Sequence, residues 1–590
     1  MANEAIARAC LEAGVAVAST YPGTPSSEIG TSLESLSKET GMYFEYSTNE
    51  KVALEVGAAA AVSGLRSFVF FKHVGLNVAS DPFMSLGYSG VRKGMVILTA
   101  DDPSMHSSQN EQDSRYFARL ANVPMLEPTT PAEAREMTLA GYEISEKLEV
   151  PVLLRTSTRV NHARGIVPLG EPKKVHLEGH FDKDPMRFVP VPAVARKGRV
   201  RQLERMKAAE EMSEQSPFNF ETGEGNVGVI ASGVAYAYAK EFLDDARFLK
   251  LGFTYPLPDK KLRRFIASFD KVAIFEELTP LVEERVIQLA KEEGCELRVL
   301  GKLSGHLPMA FEYSPETALG LRGELKVKEA GEPIHIEPIS LPNRPPVLCA
   351  GCPHRATFYA VKKALGGNEA VFSTDIGCYT LGINPPMNAA DFLLCMGSSV
   401  GAAGGFSEST RQKVIAFIGD STLFHSGLPG VVNAVFNDHR YLLVVLDNGT
   451  TAMTGHQPHP GTGRTHVRPT QPMDIEAMLK GLGAKHVLTV DPYDLSSTIA
   501  AVKEALDRDA FSVIVSKRAC PLALMRKAKI EHPTYAIDES KCVRCKTCFT
   551  KFTCPALAFD GETVSIVPEM CIGCGCCAQV CPKKAIEVRK

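Results

Sequence analysis

Two apolar strands joined by a helix, between residues 413 and 447, constrain the fold more than any other stretch of this sequence. Residues 413–418 are rich in β-branched side chains and end at a Gly-Asp-Ser turn, and residues 441–446 end at Asp447 and Asn448. A helical segment from about residue 430 to residue 438 connects them. Such a unit is typical of an open α/β sheet, in which ligands bind beyond the carboxyl ends of the strands. The sequence therefore predicts an α/β fold with a ligand site at these strand ends.

The polar residues at these strand ends have the chemistry of a divalent cation that holds a diphosphate. Asp420 supplies a carboxylate oxygen, Asn448 supplies an amide oxygen, and a backbone carbonyl near Thr450 can complete the protein's share of an octahedral Mg²⁺ site. Gly419 lets the backbone approach the phosphates, and the amides from Ser421 onward can donate to them. A Gly-Asp pair alone is an ordinary turn, but the return of the second strand with Asn448 favours the metal site.

This pattern resembles the Gly-Asp-Gly and Asn motif of thiamine diphosphate enzymes, with Ser421 in place of the second glycine. A glycine-rich helix start at residues 397–405 precedes it, and we expect Gly397 to face the same phosphate site. The resemblance implies that thiamine diphosphate and Mg²⁺ are cofactors.

Length and composition limit what the rest of the chain can be. At 590 residues the chain is too long for one domain, and 44% hydrophobic residues can fill several cores. The formal net charge of −3 gives no basic surface for nucleic acid, and we expect no membrane partner because no long apolar run is present. Sixteen cysteines, nine of them after residue 541, indicate metal binding in a reducing cytoplasm rather than disulfides.

The chain is expected to contain three α/β domains and a cysteine-rich tail. Residues 166–225 are charged and irregular, and we interpret them as a linker with a solvated helix. Glu276 and Glu277 follow a strand in the second domain, where we expect a solvated strand end without chemistry. The predicted boundaries are 1–165 for the first domain, 226–330 for the second, 347–530 for the third and 535–590 for the tail.

Two residues of the first domain are catalytic candidates. Thr24 lies in a turn that leads into a helix, where a helix-capping loop is the ordinary explanation. Glu55 lies in an alanine- and glycine-rich helix at residues 49–64, and its spacing from the apolar residues places it on the packed side, where a carboxylate needs a partner. The alternatives are a salt-bridged surface glutamate and Glu50, a second carboxylate near the start of the same helix.

The tail carries two cysteine runs with the spacing of cluster ligands. The second run matches the C-x₂-C-x₂-C-x₃-C-P pattern of two-cluster ferredoxins, and the first has a longer gap before its fourth cysteine. In such folds the fourth cysteine of each run ligates the other cluster. The alternative is zinc, although zinc sites usually use paired C-x₂-C knuckles. The predicted [4Fe–4S] ligand sets are Cys542, Cys545, Cys548 and Cys581 for one cluster and Cys571, Cys574, Cys577 and Cys554 for the other, with Cys576 left over.

Four further cysteines in the third domain fall at loops or strand ends: Cys349, Cys352, Cys378 and Cys520. Their arrangement resembles the cluster near the cofactor in pyruvate:ferredoxin oxidoreductases, which implies a third [4Fe–4S] cluster. The alternative is that they are buried thiols that pack as small apolar side chains.

Several stretches together resemble the α subunit of indolepyruvate:ferredoxin oxidoreductase, a member of the thiamine diphosphate-dependent 2-oxoacid:ferredoxin oxidoreductases. They are residues 21–28, 349–355, 375–382 and 447–463 and the cysteine-rich tail. The resemblance covers essentially the whole chain. It implies pyrimidine-binding, transketolase-C-like and diphosphate-binding thiamine domains followed by a two-cluster ferredoxin-like domain. It also implies that Thr24, in the stretch 21–28, and Glu55 are catalytic. These enzymes carry a glutamate nine residues before a glycine, and Glu55 stands nine residues before Gly64.

The resemblance further implies oxidative decarboxylation of aryl pyruvates with coenzyme A, giving an arylacetyl-CoA, CO₂ and reduced ferredoxin. The implied partners are a smaller β subunit, in an α2β2 assembly, and ferredoxin. Thr99-Ala100-Asp101 agrees with an aryl substrate, because pyruvate-using relatives carry an arginine at the third position. The alternatives are another 2-oxoacid:ferredoxin oxidoreductase, a non-oxidative thiamine decarboxylase and an electron-transfer subunit. The complete cysteine motifs argue against the second, and Glu55 with the Asp420–Asn448 pair argues against the third.

Overall fold

Parallel sheets flanked by helices build both units of the structure, so the predicted α/β class is confirmed. The structure is a computed structural model that describes residues 1–243, 245–325, 339–341, 345–527 and 532–589. Its two units are Met1–Glu337 and Pro338–Lys590. The strands of the first unit are β1 (Val17–Thr20), β2 (Tyr43–Tyr46), β3 (Ser67–Lys72), β4 (Met95–Asp101), β5 (Met125–Leu126), β6 (Val152–Ser157), β7 (Phe220–Thr222), β8 (Gly228–Ser232), β9 (Arg247–Leu251), β10 (Phe253–Tyr255), β11 (Lys271–Phe275) and β12 (Arg298–Leu300).

The first unit contains a seven-stranded sheet and a five-stranded sheet. The seven-stranded sheet has the order β10-β5-β6-β4-β3-β1-β2 and is parallel except for β10. Every residue of β3, β4 and β6 is buried, because helices cover both faces of the sheet. The five-stranded sheet has the order β12-β11-β8-β9-β7, with β7 antiparallel to β9. Because β10 follows β9 in the chain but joins the other sheet, the first two predicted domains share a sheet.

One helix of the first unit, Pro192–Gln215, lies in the predicted linker and is packed rather than solvated. Residues 166–184 have no regular structure, but a long helix follows and buries an apolar stripe that includes Val194 and Met206. Gln202 Nε2 donates a 2.7 Å hydrogen bond to the backbone oxygen of Ala121. The expected solvated helix is therefore wrong, because this stripe recurs among the charges and packs on the first sheet's helices. The helices are α1 (Ala2–Ala13), α2 (Ser27–Thr40), α3 (Glu50–Val62), α4 (His73–Val78), α5 (Ser80–Ser89), α6 (Arg115–Ala121), α7 (Pro131–Leu148), α8 (Thr158–His162), α9 (Pro185–Phe188), α10 (Pro192–Gln215), α11 (Gly233–Phe242), α12 (Asp259–Ile266), α13 (Leu281–Glu292), α14 (Pro315–Leu319) and α15 (Arg322–Leu325).

Glu276 and Glu277, at the end of β11, are buried rather than solvated, so that expectation is also wrong. Arg115 Nη1 donates to Glu276 Oε2 at 2.6 Å, and the backbone N–H of Tyr313 donates to Glu277 Oε1 at 2.9 Å. Burial raises the pKa of Glu277 to about 7. Arg115 lies more than a hundred residues earlier in the chain, and this buried ion pair joins helix α6 to the end of β11.

The second unit is built on one five-stranded parallel sheet with the order β13-β14-β15-β17-β16. The predicted strand–helix–strand unit is confirmed as β14, α19 and β15, although the helical part begins earlier, with α18 and a wide turn over Leu423–Gly427. Its strands are β13 (Ala370–Ser373), β14 (Lys413–Gly419), β15 (Leu442–Asp447), β16 (His486–Val490) and β17 (Ser512–Lys517), and its helices are α16 (Pro353–Leu365), α17 (Ser398–Ser409), α18 (Asp420–Thr422), α19 (Leu428–Phe436), α20 (Ile475–Gly481), α21 (Leu495–Asp507) and α22 (Pro521–Lys527).

The tail of the second unit is a small cysteine-rich domain of two antiparallel strand pairs, β18 with β21 and β19 with β20, with the α-helix α23 and a wide helical turn over Cys548–Phe552. It packs on the larger sheet domain through an apolar cluster that includes Ala356, Leu495, Phe552 and Cys576. Across the described residues of both units, no helix is long and apolar enough to cross a membrane. The elements are β18 (Tyr535–Ile537), β19 (Leu557–Phe559), β20 (Val564–Ile566), β21 (Ile586–Val588) and α23 (Cys576–Val580).

Candidate active site

Asp420 follows β14, and its carboxylate joins the ends of the two central strands of the second unit. Its Oδ2 accepts hydrogen bonds from the backbone N–H groups of Asn448 (3.1 Å) and Gly449 (2.8 Å), and His459 Nε2 lies 3.1 Å from the same oxygen. Its Oδ1 accepts from the backbone N–H of Ser421 at 2.8 Å. Burial opposes ionisation, but His459 and the backbone donors outweigh it and hold the pKa of Asp420 below its usual value. Asp420 is therefore a fixed, ionised carboxylate at the sheet edge.

Asn448 and Thr450 complete the oxygen-rich edge that the sequence predicts. Asn448 Oδ1 accepts from the backbone N–H of Thr450 at 3.0 Å, and Ser421 Oγ accepts from Thr451 Oγ1 at 2.9 Å. All of these side chains are at least nine-tenths buried except Thr451, which is half-buried. One carboxylate and one amide oxygen held at adjacent strand ends are the hard ligands that Mg²⁺ takes together with phosphate oxygens. The donor set therefore fits a magnesium diphosphate.

Three residues near this edge were given no role from the sequence. His354 Nε2 lies 3.3 Å from Asn448 Nδ2, and burial lowers the pKa of His354 to about 4, so its imidazole is neutral at neutral pH. His459 faces Asp420, as described above. Burial, and then the charge of Asp420, raise the pKa of Asp447 to about 6. A sequence signal existed for all three, because His354 lies in residues 349–355 and Asp447 and His459 lie in residues 447–463, two stretches that carry the family resemblance.

Gly397 begins α17 with a positive φ of 86°. Its N–H donates to Asp375 Oδ1 at 2.8 Å, and the N–H of Ser399 donates to Asp375 Oδ2 at 2.9 Å. Asp375 is fully buried, so its carboxylate caps this helix. The geometry does not support the expected phosphate contact from Gly397, because its amide is already taken by a side chain.

Thr24 lies in the loop after β1, at the carboxyl edge of the first sheet. Its Oγ1 is 3.5 Å from Ser27 Oγ, and its backbone oxygen accepts from Ser107 Oγ at 3.3 Å. The loop that follows β4 therefore contacts the Thr24 loop. Thr24 is half-buried.

The structure contradicts the expected packing of Glu55. The buried face of α3 includes Glu50, Leu54 and Gly57, whereas the side chain of Glu55 is 46% exposed and pairs with Lys51. Glu50 is only 5% exposed. The error has a simple cause: residues 51, 55 and 59 are successive i, i+4 positions, and they form the outward stripe of this helix.

The four cysteines predicted to hold the third cluster, Cys349, Cys352, Cys378 and Cys520, lie together beside the Asp420 edge. The backbone N–H of Cys520 donates to the backbone oxygen of Asn448 at 2.9 Å. Burial, and then its neighbours Cys349 and Cys520, raise the pKa of Cys378 to about 11. Burial, with the thiols of Cys378 and Cys349 nearby, raises the pKa of Cys352 to about 12. Each thiol therefore has others of the same set as neighbours.

The tail cysteines line two separate cavities, each with thiols from both runs. One cavity is lined by Cys542, Cys545, Cys548 and Cys581. The other is lined by Cys554, Cys571, Cys574 and Cys577. Cys576 points instead into the apolar cluster beneath the tail and is 1% exposed. Among the described residues, no three Cys, His, Asp or Glu side chains stand at the spacing of ligands to one metal ion.

The second tail cavity lies directly on the loop that carries Cys349 and Cys352. Gly351, from the middle of that loop, lines the cavity, and Tyr493 Oη donates to its backbone oxygen at 2.5 Å. Arg355 Nη1 donates to the backbone oxygen of Thr553 at 2.7 Å, next to Cys554. These contacts fix one set of tail thiols against the thiols beside Asp420.

Comparison with known proteins agrees with this geometry. The family "Pyruvate flavodoxin/ferredoxin oxidoreductase, thiamine diP-bdg" matches residues 8–217, "Thiamine pyrophosphate enzyme, C-terminal TPP binding domain" matches residues 375–516, and "4Fe-4S dicluster domain" matches residues 534–582. The indolepyruvate oxidoreductase subunit IorA of Methanothermobacter marburgensis is 48% identical over 100% of this chain and 96% of its own length. That of Thermococcus kodakarensis is 45% identical over 100% and 97%.

The chain belongs to the indolepyruvate oxidoreductase subunit IorA family. As a member of this family it is a subunit of a thiamine diphosphate-dependent 2-oxoacid oxidoreductase, and the predictions of a thiamine site and of iron–sulfur clusters are confirmed at the level of its domains. Among solved structures, the 2-oxoglutarate:ferredoxin oxidoreductase from Magnetococcus marinus aligns with 55% of this chain and 64% of its own, at 14% identity and a TM-score of 0.42.

Proposed function

We propose that this chain is the α subunit of an enzyme that oxidatively decarboxylates aryl pyruvates. The 2-oxo acid and coenzyme A give an arylacetyl-CoA, CO₂, a proton and two electrons, which leave through iron–sulfur clusters to ferredoxin. The observation that carries the proposal is the position of four cysteines beside Asp420, with a tail cavity lined by the loop that carries two of them. These cysteines are Cys349, Cys352, Cys378 and Cys520. The aryl substrate is supported by the names of the relatives and by the absence of an arginine at residues 99–101.

In this proposal Asp420 and Asn448 hold Mg²⁺ and, through it, the diphosphate. Thiamine diphosphate, when bound, supplies the electron sink that decarboxylation needs. Asp420 is suited to the metal because it is ionised, and backbone amides together with His459 fix the direction of its carboxylate. Asn448 Oδ1 keeps a second lone pair beyond its bond from Thr450. Thr24 and Glu55 remain the proposed catalytic residues of the first unit.

We assign one [4Fe–4S] cluster to each set of four cysteines, three clusters in all. The contacts of Gly351 and Arg355 support an order in which electrons pass from the Cys349 set to the Cys554 set and then to the outer Cys542 set. Cys576 is not a ligand in this assignment, because its thiol packs against apolar side chains. A smaller β subunit, ferredoxin and coenzyme A are proposed partners, in an α2β2 assembly.

The reaction itself is tested with the anaerobic αβ complex. Phenylpyruvate or indolepyruvate together with coenzyme A should bleach the visible absorption of the clusters, because oxidation of the substrate delivers its electrons there. Pyruvate and 2-oxoglutarate serve as the comparison substrates. Release of CO₂ without bleaching would identify a non-oxidative decarboxylase, and bleaching only with 2-oxoglutarate would contradict the aryl assignment.

If a cluster lies near the thiamine site, replacing a cysteine of the Cys349, Cys352, Cys378 and Cys520 set should remove the iron of that cluster alone. Cys378→Ser and Cys520→Ser should each lower the iron content of the full-length protein by about four per chain, since one [4Fe–4S] cluster is lost. The hydrogen bond from the backbone N–H of residue 520 to the backbone oxygen of Asn448 does not involve the cysteine side chain, so thiamine diphosphate should remain bound. Iron analysis and cofactor assay on the same samples measure both quantities.

Matched controls exist for this iron measurement. Cys295→Ser changes an exposed cysteine of the first unit that belongs to none of the three sets and should leave the iron content unchanged. In the tail, Cys576→Ser should keep all iron, whereas the adjacent Cys577→Ser should lose about four irons per chain. If both Cys378→Ser and Cys520→Ser keep the full iron content, the third cluster does not exist and the chain holds only the two tail clusters.

A further inference from the structure

Lys72, the last residue of β3, is a buried cation at the carboxyl edge of the first sheet. The residue is 8% exposed, and its Nζ donates to the backbone oxygen of Ser107 at 2.5 Å and lies 3.3 Å from Ser107 Oγ. An ammonium group has three protons, so these contacts use two of its donors at most. Among the described residues, no carboxylate lies within 4.0 Å of this nitrogen.

Two other buried cations of the first unit, Lys250 and Arg115, are neutralised by carboxylates. Lys250 pairs with Glu133 at 2.9 Å, and Arg115 pairs with Asp113 and Glu276 at 2.7 and 2.6 Å. Leaving a buried charge without a partner is unfavourable unless something else compensates. Burial lowers the pKa of Lys72 to about 8, and Asp102 is the charged group that opposes this shift. Asp102 is itself occupied, because it accepts from the backbone N–H of Ser107 at 2.8 Å and from Thr158 Oγ1 at 2.6 Å.

The Lys72 ammonium lies where the proposed catalytic loop closes over the sheet. A Cβ placed on Gly23 would be 3.0 Å from Lys72 Cβ, so the Thr24 loop packs directly on this lysine. Ser107, which accepts from the ammonium, also donates to the backbone oxygen of Thr24. The neighbouring strand β4 offers no cation there, because its last residue is Asp101, whose carboxylate binds Arg155 at 2.8 Å.

We propose that Lys72 binds the carboxylate of the 2-oxo acid substrate, in place of the arginine that residues 99–101 lack. This inference rests on the proposed function, because it assigns the substrate contact of that same site. A single ammonium on a strand end, in place of a guanidinium fork, leaves more of the pocket for an aryl side chain. The carboxylate leaves as neutral CO₂, so Lys72 acts mainly in binding and is a positioning group for the addition step.

The test compares Lys72→Met and Lys72→Arg in the full αβ complex with Lys302→Met as a matched control. Lys302 is also buried, with its pKa lowered to about 8 by burial, but its ammonium contacts Pro308 and the ring of Tyr313. Lys72→Met should raise the KM for phenylpyruvate roughly tenfold to a hundredfold, the range of a charge-assisted hydrogen bond, with a smaller change in kcat. Cofactor content, iron content and the KM for coenzyme A should stay unchanged in Lys72→Met. In Lys302→Met these three quantities and the KM for phenylpyruvate should all stay unchanged.

The pH dependence supplies a second readout that keeps the inference testable even if Lys72→Met folds poorly. Lys72 binds the carboxylate only when protonated, so kcat/KM of the wild type should fall as pH rises through about 8. In Lys72→Arg this fall should disappear below pH 10, because arginine stays charged. An unchanged KM in a folded Lys72→Met, or the same alkaline fall in Lys72→Arg, would overturn the assignment.

Binding without turnover separates this inference from the proposed function. 3-Phenylpropionate carries the aryl group and the carboxylate but no 2-oxo group, and calorimetry should show it binding the wild type roughly tenfold or more tightly than Lys72→Met. If the wild type binds it in this way but no 2-oxo acid bleaches the clusters, the proposed reaction fails and the carboxylate site stands. Equal binding to both proteins would overturn the site while leaving the reaction intact.

Discussion

Asp420→Ala is expected to yield a protein without bound Mg²⁺ or thiamine diphosphate but with its full iron content. Asp420 is the charged member of the proposed ligand pair, and its carboxylate also aligns the backbone of Asn448 and Gly449. Without this carboxylate the protein no longer holds Mg²⁺, and the diphosphate that binds through Mg²⁺ is lost with it. The cysteine sets belong to other loops and to the tail, so their clusters should persist. Cofactor and metal assays after desalting, alongside iron analysis, measure the outcome.

Two variants separate the metal role of Asp420 from its structural role. Removing the carboxylate leaves buried donors unsatisfied, at roughly 1–3 kcal/mol each, so Asp420→Ala is also expected to unfold at a lower temperature. Asp420→Asn keeps one acceptor oxygen and most of these contacts but not the charge, and it should lose the cofactor with a smaller loss of stability. Asp447→Asn changes the adjacent carboxylate and should retain the cofactor. Cofactor still bound to desalted Asp420→Ala would refute the metal role.

The sequence was informative wherever the interacting residues share one supersecondary unit. Asp420 and Asn448 end consecutive strands, so periodicity and turn chemistry were enough to bring them together. The cysteine spacing of the tail was equally local within each run. The residues that were missed act across the fold: Asp375 takes the amide of Gly397, and His354 reaches Asn448 from the start of helix α16. No short-range pattern encodes such contacts.

Amphipathic position was the weaker signal, as Glu55 and α10 show. In α3 nearly every residue is small or apolar, so the sequence alone did not distinguish its buried face from its outward stripe. In α10 charged residues dominate the average and conceal a regular buried stripe that includes Val194 and Met206. The expectation for Glu276 failed for a third reason, because its partner Arg115 lies on helix α6, far from Glu276 in the sequence. Burial of a charged residue depends on its partner, which the local sequence does not contain.

Glu55→Gln is expected to lower turnover roughly a hundredfold to ten-thousandfold, the usual contribution of a positioned acid–base group, while thiamine diphosphate stays bound. In the proposed role the carboxylic group hydrogen-bonds the pyrimidine ring and moves the proton that activates the cofactor. Lys51 tests the alternative, because an exposed Lys51–Glu55 pair contributes at most about 1 kcal/mol to stability and nothing to turnover. Lys51→Met should therefore remain active. Steady-state kinetics with a parallel cofactor assay decide between the two readings.

The exposed position of Glu55 makes its proposed role depend on the state of assembly, which can be tested together with Glu50→Gln. A catalytic glutamate on the exposed stripe of α3, beside Ala59, needs a second surface to enclose the cofactor, which the proposed α2β2 assembly supplies. Ala59→Arg should then weaken that assembly and activity together, as measured by sedimentation and by turnover.

Glu50 is buried against Gly75, so Glu50→Gln should act on thermal stability more than on turnover. Near-normal turnover in Glu55→Gln with loss in Glu50→Gln would transfer the role to Glu50, and full activity in a single αβ pair would refute the assembly.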